Sequence, residues 1–470
     1  MRRAIFLLPL FLLSCFSNRA ALSPYSYAPQ KQNKFWKPGG KDKEKIEGLE
    51  EDTGPLTLAE IVDISLRNNP ETRVTWADAR VAAAQYGQSQ SSDFPTLTST
   101  YAWSRFRNVL TAADGYGGSV AEPYFFSQWG PQLQLSYTLL DFGQGKATAN
   151  TAKELLYNAG YIHNRKIQTV IQQVTADYYS YIYQQELLKA NQQDLITAET
   201  TYEAAKVSFD VGIKNLSDLL QAKTKLLQSQ IQLVAQNQVL VVSLATLLTD
   251  MGLKANQKIP IRSMPEVPPI KEMLASADDL LNVALEKRAD LLAAEARLQS
   301  EEYNIVAVRQ QFFPTVTYNL NFGETSYSLI GSDRYDFTTT FSLNFPIFSG
   351  FSTLNSLKVA QAKKEKAEAE VALTQLQIVK DVTTSHSAVQ QAFETLKFSS
   401  ELLQVAEEQY EVAIALYKAG TGNILEVVSA QSSLANARAQ CANANNEWFT
   451  SLINLSYAAG SLEPPEAKTL

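Results

Sequence analysis

The stretch PQLQLSYTLLDFGQGKATAN, residues 131–150, changes character halfway along its length. Its first half alternates apolar and polar side chains, the period of a β-strand with one apolar face. Small and polar residues without that alternation follow Gly143. Between them lies Asp141-Phe142-Gly143, which would hold magnesium in a kinase or else marks a joint between a strand and a helix. No kinase catalytic-loop sequence precedes it, and Phe348-Ser349-Gly350 repeats it downstream, which favours the joint.

The same alternation appears in three other stretches, residues 96–106, 315–322 and 337–345. One explanation is a soluble antiparallel sheet with one wet face. Against it, each strand has the length of about ten residues that spans an outer membrane. The polar faces carry Thr, Asn, Gln and Ser, and the apolar faces are rich in aromatic residues, as in membrane barrels. Four strands cannot close a barrel, so several chains would have to share one.

The chain contains two copies of one pattern. Ser65–Glu71 and Phe94-Pro95 recur 219 residues later, the second as Phe313-Pro314, and the glycine turn at Gly212 recurs at Gly420. Each copy predicts a short helix, two strands, a very long helix, a glycine turn and a last helix. The predicted boundaries are a signal at 1–15, a tether at 16–55, repeats at 56–252 and 275–460, a Pro-rich linker at 253–274 and a tail at 461–470.

The predicted helices are unusually long. Residues 351–419 contain no glycine or proline, enough for a helix of ~100 Å. The shorter partner carries two adjacent heptad columns, starting at Leu219 and Leu220, which predict a wide packing face. A leucine-zipper transcription factor is the alternative, but no basic region precedes the heptads. In the second copy the first column includes Cys441, which is therefore expected to be a packed core residue.

The N-terminus predicts export. Arg2 and Arg3 precede an apolar run, and the run ends in Leu12-Leu13-Ser14-Cys15, which resembles a bacterial lipoprotein signal. Cys15 would then be acylated; an ordinary secretory signal is the alternative. The polar residues 16–55 are expected to act as a tether. Since no later stretch holds about 18 uninterrupted apolar residues, any membrane crossing is expected to use strands.

Composition and motifs exclude several function classes. The net charge of −7, with both signs interspersed, argues against nucleic-acid binding. The two histidines, His163 and His386, lack partners at metal-ligand spacing, and both are expected to be solvated helix positions. No catalytic triad, phosphate loop or zinc motif appears. Gly115–Gly118 is expected to lie in an extracellular loop. We therefore predict no catalytic residues, metal or cofactor, and no enzyme.

Several motifs together resemble the outer-membrane efflux protein family, of TolC and OprM type. Leu66–Glu71 is similar to its Leu-x-x-Asn-Pro-x motif, and Phe94-Pro95 and Phe313-Pro314 lie at helix-to-strand joints. Val211-Gly212-Ile213 with Ser217-Asp218 resembles the first hairpin tip of the family. Tyr417–Thr421 with Ile424–Val428 resembles the second. The resemblance covers roughly residues 56–460, and the signal suits the lipoprotein branch.

The resemblance implies an α+β membrane protein. Three chains, each with four strands, would share a 12-stranded transmembrane β-barrel in the outer membrane, continued by a long α-helical coiled-coil tunnel in the periplasm. The tunnel would dock a periplasmic adaptor protein attached to an inner-membrane transporter. The implied entrance gate is formed by Asp218, Glu426 and Ser429, although the family's arginine is replaced by Gly422 and one common acidic residue by Ser429. The implied adaptor-docking residues of the tips are Gly212, Asn215, Leu216, Ser217, Gly420, Thr421, Asn423 and Leu425.

The acidic residues at the tips have a simpler structural explanation. Ser217 with Asp218, and Asn423 with Glu426, can cap the following helix as well as line a pore. For the whole chain we expect a passive, gated exit duct of a tripartite efflux or type I secretion system. The alternative is a non-channel envelope scaffold or surface adhesin built on coiled coils, which would need neither polar strand faces nor paired acidic tips.

Overall fold

The computed structural model describes residues 19–37, 56–113, 119–257, 259–262, 276–328 and 334–464. The chain divides into two compact units. The first contains residues 19–28, 80–158 and 295–370, and it includes all four strands. The second contains residues 29–79, 159–294 and 371–464, which are mostly helical.

Both halves of the chain follow one element order: two short helices, two strands and two long helices. After a helical turn, α1 (Arg19–Leu22), the first half consists of α2 (Leu58–Asn68), α3 (Pro70–Ser89), β1 (Thr96–Ala113), β2 (Ser119–Leu140), α4 (Gln144–Asp210) and α5 (Leu216–Asp250). The second half consists of α6 (Ala277–Lys287), α7 (Ala289–Gln310), β3 (Thr315–Tyr327), β4 (Arg334–Asn344), α8 (Ser352–Lys418) and α9 (Ile424–Ala458).

Each half begins with two helices where the sequence pattern predicted one. The break falls at Asn69 and Arg288, whose backbones are extended at ψ 124° and 122°. Pro70 imposes this conformation on Asn69 because its ring disfavours a helical residue before it. Ala289 stands at the matching position without that restraint, so the second break is maintained by the contacts of Arg288 described below.

The four strands form one antiparallel sheet in the order β1-β2-β3-β4. β3 and β4 have 13 and 11 residues, close to the expected ten. β1 and β2 have 18 and 22 residues and are longer than expected. They pair with each other from Thr96 to Ala113, whereas β3 pairs with β2 only as far as Gln128. The outer part of the first hairpin therefore extends beyond β3.

None of the described residues covers the apolar face of the sheet. Trp103 is 62% exposed, Phe337 76% and Leu343 69%. In β1 and β4 these residues alternate with Thr and Ser positions on the other face. Large aromatic side chains are rarely left in water in such numbers, so this face requires an apolar environment.

The joint between β2 and α4 is a helix cap. The Asp141 carboxylate accepts hydrogen bonds from the backbone N–H groups of Gly143 (2.9 Å) and Gly145 (2.6 Å). Phe142 has a left-handed backbone (φ 53°) and stacks on Phe313 with ring centroids 5.4 Å apart. Asp141 thus caps the first turn of the helix, as a carboxylate at an N-terminus does. The interpretation of this tripeptide as a structural joint is confirmed.

The long helices α4 and α8 have 67 residues each, a length of ~100 Å if straight. On α9 the first heptad column packs inward: Val427, Leu434 and Trp448 are buried. Cys441 is half-buried, and burial raises the pKa of its thiol. The prediction that Cys441 is a packing residue agrees with this position.

The second column of α5 faces outward instead, and Val234 is 73% exposed. By length and composition, α5 is also apolar enough to cross a membrane, with a mean hydropathy of 1.6 in its most apolar window. Its apolar residues fall in two heptad columns separated by Gln, Lys and Ser, which is the pattern of a helix that packs on other helices. The exposed members of the second column are Leu220, Leu227, Val234 and Val241.

In each repeat, the residue at the break between the two short helices contacts the end of the last long helix. In the first, Asn69 Nδ2 donates a hydrogen bond to the carbonyl of Asp250 at the end of α5 (2.8 Å). In the second, Arg288 Nη1 donates to the carbonyl of Ala458 at the end of α9 (3.3 Å). Both interactions satisfy carbonyl groups that a helix C-terminus leaves without an intrahelical partner.

Arg288 also carries an ion-pair network. Its guanidinium is 3% exposed and lies 2.6 Å from Asp290 Oδ2 and 3.0 Å from Asp381 Oδ2. Arg165 of α4 lies 3.7 Å from Asp290 and stacks over the ring of Tyr457, also at 3.7 Å. The network therefore joins α4, α8 and α9 through the buried Arg288 and the half-buried Arg165.

The segment expected to be a tether contributes ordered structure in its described part, residues 19–37. Trp36 is buried against α4, where Gly160 leaves no room for a Cβ atom: one would lie 2.4 Å from the indole. Asn164 binds both backbone groups of Trp36, accepting from its N–H at 2.7 Å and donating to its carbonyl at 2.8 Å. The polar composition of residues 16–55 did not predict this contact, because the contact depends only on the Trp36 side chain and on Gly160. Cys15, the signal and the glycine-rich loop at 115–118 lie outside the described residues.

The expectation that His163 is solvated is wrong. His163 is fully buried, and its Nδ1 lies 3.0 Å from Thr75 Oγ1. Burial lowers its pKa to about 4, against the smaller effect of a hydrogen bond with the backbone of Lys34. The N-terminal segment covers this part of α4, which helix periodicity alone could not reveal. His386 is half-buried.

Arg288 provides a test of the ion-pair network. R288A would leave the carboxylates of Asp290 and Asp381 without their shared cation, and the remaining cation, Arg165, forms its ion pair with Asp290 at 3.7 Å. We expect a loss of about 3–5 kcal/mol in stability, measured as a lower denaturation temperature of the detergent-solubilised protein. The control R309A removes an exposed arginine from the last turn of α7 and should change stability by less than about 0.5 kcal/mol. An unchanged transition in R288A would contradict the role of the network.

His163 predicts a pH dependence of stability. Its folded-state pKa of about 4 lies below the ordinary value of 6.5, so the unfolded state binds the extra proton between these values. Stability should therefore fall as the pH drops from 6.5 towards about 4, by up to ~1.4 kcal/mol per pH unit. We expect H163Q to lack this pH-dependent part of the stability. The denaturation temperatures of wild type and H163Q should therefore approach each other as the pH falls. H386Q is the control, and a constant difference between wild type and H163Q over this range would refute the assignment.

Candidate pore entrance at the helical hairpin tips

Two tight turns connect the long helices, and both lie in the second unit. Gly212 follows α4 and Gly420 follows α8, with φ of 77° and 83°. A Cβ at either glycine would meet nothing within 4 Å, so the requirement for glycine is the left-handed backbone itself. Carbonyls at the helix ends are then satisfied: those of Ser208 and Leu416 each accept from two N–H groups of their turn.

Asparagines cap the helices that follow the turns. Asn215 Oδ1 accepts from the N–H of Asp218 (3.0 Å), and Asn423 Oδ1 accepts from the N–H of Leu425 (3.1 Å). Capping was predicted as the simpler role of Ser217 with Asp218 and of Asn423 with Glu426. It is confirmed for Asn423, whereas Asn215 and not Ser217 caps α5. The carboxylates of Asp218 and Glu426 lie in the first turns of α5 and α9, where the helix dipole favours negative charge.

The predicted gate residues differ in exposure. Asp218 is half-buried, whereas Glu426 and Ser429 are exposed and lie three residues apart on α9, on one side of the helix. Ser217 Oγ accepts a hydrogen bond from Gln221 (3.3 Å). The other predicted tip residues, Gly212, Asn215, Leu216, Gly420, Thr421, Asn423 and Leu425, are exposed. No cluster of potential metal ligands occurs in the described parts of the chain.

Tyr417 is the buried centre of the tips. It is 1% exposed and packs with Ala205, Ala222, Ile424 and Val427, which come from the ends or starts of the long helices. Burial raises the pKa of its hydroxyl, and the negative charge of Asp218 raises it further. Tyr417 therefore stays neutral and joins the two hairpins through its ring.

Lys214 links the first tip to the second. Its ammonium donates a hydrogen bond to the carbonyl of Gly422 (2.9 Å) and lies 5.3 Å from the centre of the Tyr417 ring. This places one cation against both a backbone acceptor and an aromatic face, each of which attracts positive charge. Sequence reasoning missed Lys214. The available signal was a lysine in the first tip of a chain whose second tip lacks the expected arginine.

The structure also explains why position 422 holds glycine. A Cβ at Gly422 would lie 2.8 Å from the backbone nitrogen of Tyr417 and 2.9 Å from the carbonyl carbon of Leu416. Backbone atoms cannot move aside as a flexible side chain can, so an arginine does not fit this turn. The cation at the second tip is Lys214, which comes from the first tip.

K214M tests this link. Removing the ammonium leaves the Gly422 carbonyl and the Tyr417 ring without their cation, and we expect the second tip to open more often. Since a half-exposed charged hydrogen bond contributes about 1 kcal/mol, amide hydrogen exchange at residues 420–424 should accelerate about fivefold. The control K206M removes an exposed lysine from the helix that precedes the tip. Equal exchange in wild type and K214M would show that Lys214 does not hold the tip.

Comparisons with known proteins agree with this architecture. The outer membrane efflux protein family model matches residues 61–253 and 280–461, well over half of the chain. The toluene efflux pump outer membrane protein TtgC of Pseudomonas putida is 26% identical over 86% of this chain and 82% of TtgC. The outer membrane protein OprJ of Pseudomonas aeruginosa is 26% identical over 80% of this chain and 78% of OprJ.

A solved structure shares the fold. The outer-membrane channel OprN aligns with a TM-score of 0.78 at 19% identity, covering 87% of this chain and 91% of OprN. The structure of this chain has the four strands, the two long helical hairpins and the internal duplication that the sequence predicts. The chain belongs to the outer membrane efflux protein family, a family of outer-membrane channels rather than enzymes.

Proposed function

We propose that three copies of this chain form a passive export duct through the outer membrane. The observation that carries the proposal is the sheet: four strands with an uncovered apolar face and two edges, β1 and β4. Three such sheets supply twelve strands, enough to close a barrel and to pair every edge. The polar face, with Thr, Asn, Gln and Ser, then lines a water-filled interior.

The exposed column of α5 supports assembly of the helical part. Leu220, Leu227, Val234 and Val241 would be covered by a neighbouring copy, whose α8 also exposes large apolar residues such as Leu376 and Phe398. Heptad faces of this kind pack through interlocking side chains. This duct selects little by itself, and the relatives include proteins named for toluene and for antibiotic efflux. The substrates are therefore set by the transporter that delivers them.

The hairpin tips form the gated entrance in this proposal. Three copies would bring Asp218, Glu426 and Ser429 into rings around one axis, and rings of carboxylates favour cations. Lys214 and Tyr417 hold the two tips of one chain together, so the gate is closed from within each copy.

The tips also dock the periplasmic adaptor, which connects the duct to an inner-membrane transporter. Four large apolar side chains support this role because they project from the turns and remain over half exposed: Val211, Ile213, Leu216 and Leu425. Exposed apolar clusters surrounded by polar residues commonly bind another protein. The polar tip residues Asn215, Ser217, Thr421 and Asn423 would form the rim of this contact, with Gly212 and Gly420 fixing its shape.

An acyl chain such as palmitate on Cys15 would attach the N-terminus to the membrane, and outer-membrane lipid would surround the barrel. The docking of Trp36 into the notch at Gly160 supports this because it fixes the segment that follows the anchor. A non-channel scaffold is not favoured, since it would have no use for the polar face of the sheet.

Single-channel recording tests the duct. We expect the purified protein to have the mass of three chains without their signals and to give small, stable openings in a planar bilayer. E426Q and D218N should reduce cation selectivity, because each removes one carboxylate per chain from the proposed rings. The control E286Q changes an exposed carboxylate of α6, away from the tips. A monodisperse monomer that never conducts would overturn the proposal and return the scaffold to first place.

A further inference from the structure

The first hairpin continues beyond the rest of the sheet. The last contact of the β3 end is the Ser328 N–H, which donates to the carbonyl of Ser127 at 2.9 Å. Ser127 is the register partner of Arg105 in β1. Among the described residues, those of β1 beyond Arg105 thus pair with β2 alone. In the proposed duct this end points away from the helices, because the helices connect to the opposite ends of β1 and β2.

The apolar face ends in a row of aromatic residues. Trp103 and Trp129 are register partners, and Tyr101 and Tyr335 lie one step lower on the same face of the sheet. Tryptophan and tyrosine concentrate where hydrocarbon meets the headgroups. This row therefore marks the outer boundary of the hydrocarbon layer.

Two arginines follow directly above that boundary. Arg105 and Arg107 continue the face of Trp103, because alternate residues of a strand share a face. Both are exposed, and their guanidinium carbons lie 5.7 Å and 6.0 Å from the centre of the Phe125 ring. Phe125 is the register partner of Arg107 and is 52% exposed. The result is a pair of cations held beside one outward-facing aromatic ring.

The opposite face of the hairpin is stiffened. Phe106 stacks on Phe126 at 5.0 Å, and Tyr124 stacks on Phe126 at 5.8 Å, with Tyr327 beside them at 6.5 Å. A rigid strand pair presents its outer side chains with little loss of conformational entropy on binding. The acidic residue Glu324 shares the outer face but lies at the level of Tyr101, below the tryptophans.

We infer that Arg105, Arg107 and Phe125 form a binding site for a phosphate-bearing lipid headgroup of the outer leaflet. This inference rests on the proposed function, which supplies the orientation of the sheet. Guanidinium groups bind phosphate oxygens through two parallel hydrogen bonds, and cations next to a membrane surface attract anionic lipid. The Phe125 ring, above the hydrocarbon boundary, keeps the two guanidinium groups next to each other. The site is continuous with the lipid-facing band, which is why a lipid and not a soluble anion occupies it.

Native mass spectrometry of the full-length assembly tests the site with diphosphoryl lipid A and phosphatidylcholine as probes. We expect wild type to retain lipid A in preference to phosphatidylcholine. The double variant R105Q/R107Q should bind lipid A on the order of tenfold to thirtyfold more weakly, with unchanged binding of phosphatidylcholine. R105K/R107K should recover part of the affinity, since lysine supplies charge without the planar fork. The control R73Q/R309Q removes the same charge from α3 and α7 and should retain wild-type binding.

The outcomes separate this site from the duct. If R105Q/R107Q forms conducting trimers and still binds lipid A like wild type, the lipid site is refuted and the duct stands. Loss of lipid A preference in R73Q/R309Q as well would show a general charge effect and would also refute the site. If wild type forms no trimer, the orientation of the sheet fails, and the lipid site fails with it.

Discussion

The structure depends on one constraint: a strand edge cannot remain unpaired in hydrocarbon. Each N–H or carbonyl group without a partner there costs several kcal/mol. The sheet of this chain has two edges, β1 and β4, and an apolar face that nothing in the described chain covers. Closure must therefore come from further copies, and the helices must assemble in the same symmetry because each follows directly from a strand. The uncovered column of α5 meets this requirement.

The two repeats have the same order of elements, but the β-hairpin of the first repeat has longer strands than that of the second. Each repeat closes on itself through a polar side chain at its helix break, Asn69 or Arg288, which reaches a carbonyl at the end of the last helix. The second repeat replaces a neutral amide by a buried cation, and that cation also binds Asp290 and Asp381. The repeats thus share their geometry while only the second serves as the electrostatic anchor of the helical unit.

Local periodicity and glycine positions determined most of what the sequence could predict. Alternation located the four strands, heptad columns located α5 and α9, and Gly212 and Gly420 located the turns. The predictions failed where a contact joined distant residues. Trp36 packs on α4 at a place where any side chain at position 160 would collide with its indole. The N-terminal segment that contains Trp36 also buries His163. Lys214 binds the backbone carbonyl of Gly422, which lies 208 residues away in the chain. The length of the first hairpin was missed because its outer half lacks the simple apolar alternation.

The two uncovered apolar surfaces, on the sheet and on α5, have a consequence for the level at which the protein is made. A chain that exposes both has no favourable isolated state in water, so folding and assembly form one equilibrium governed by mass action. For a three-chain product the amount of assembled duct varies with the cube of the free-chain concentration, and halving that concentration lowers it about eightfold. Small changes in synthesis or degradation would then act as a steep control on the number of ducts in the membrane.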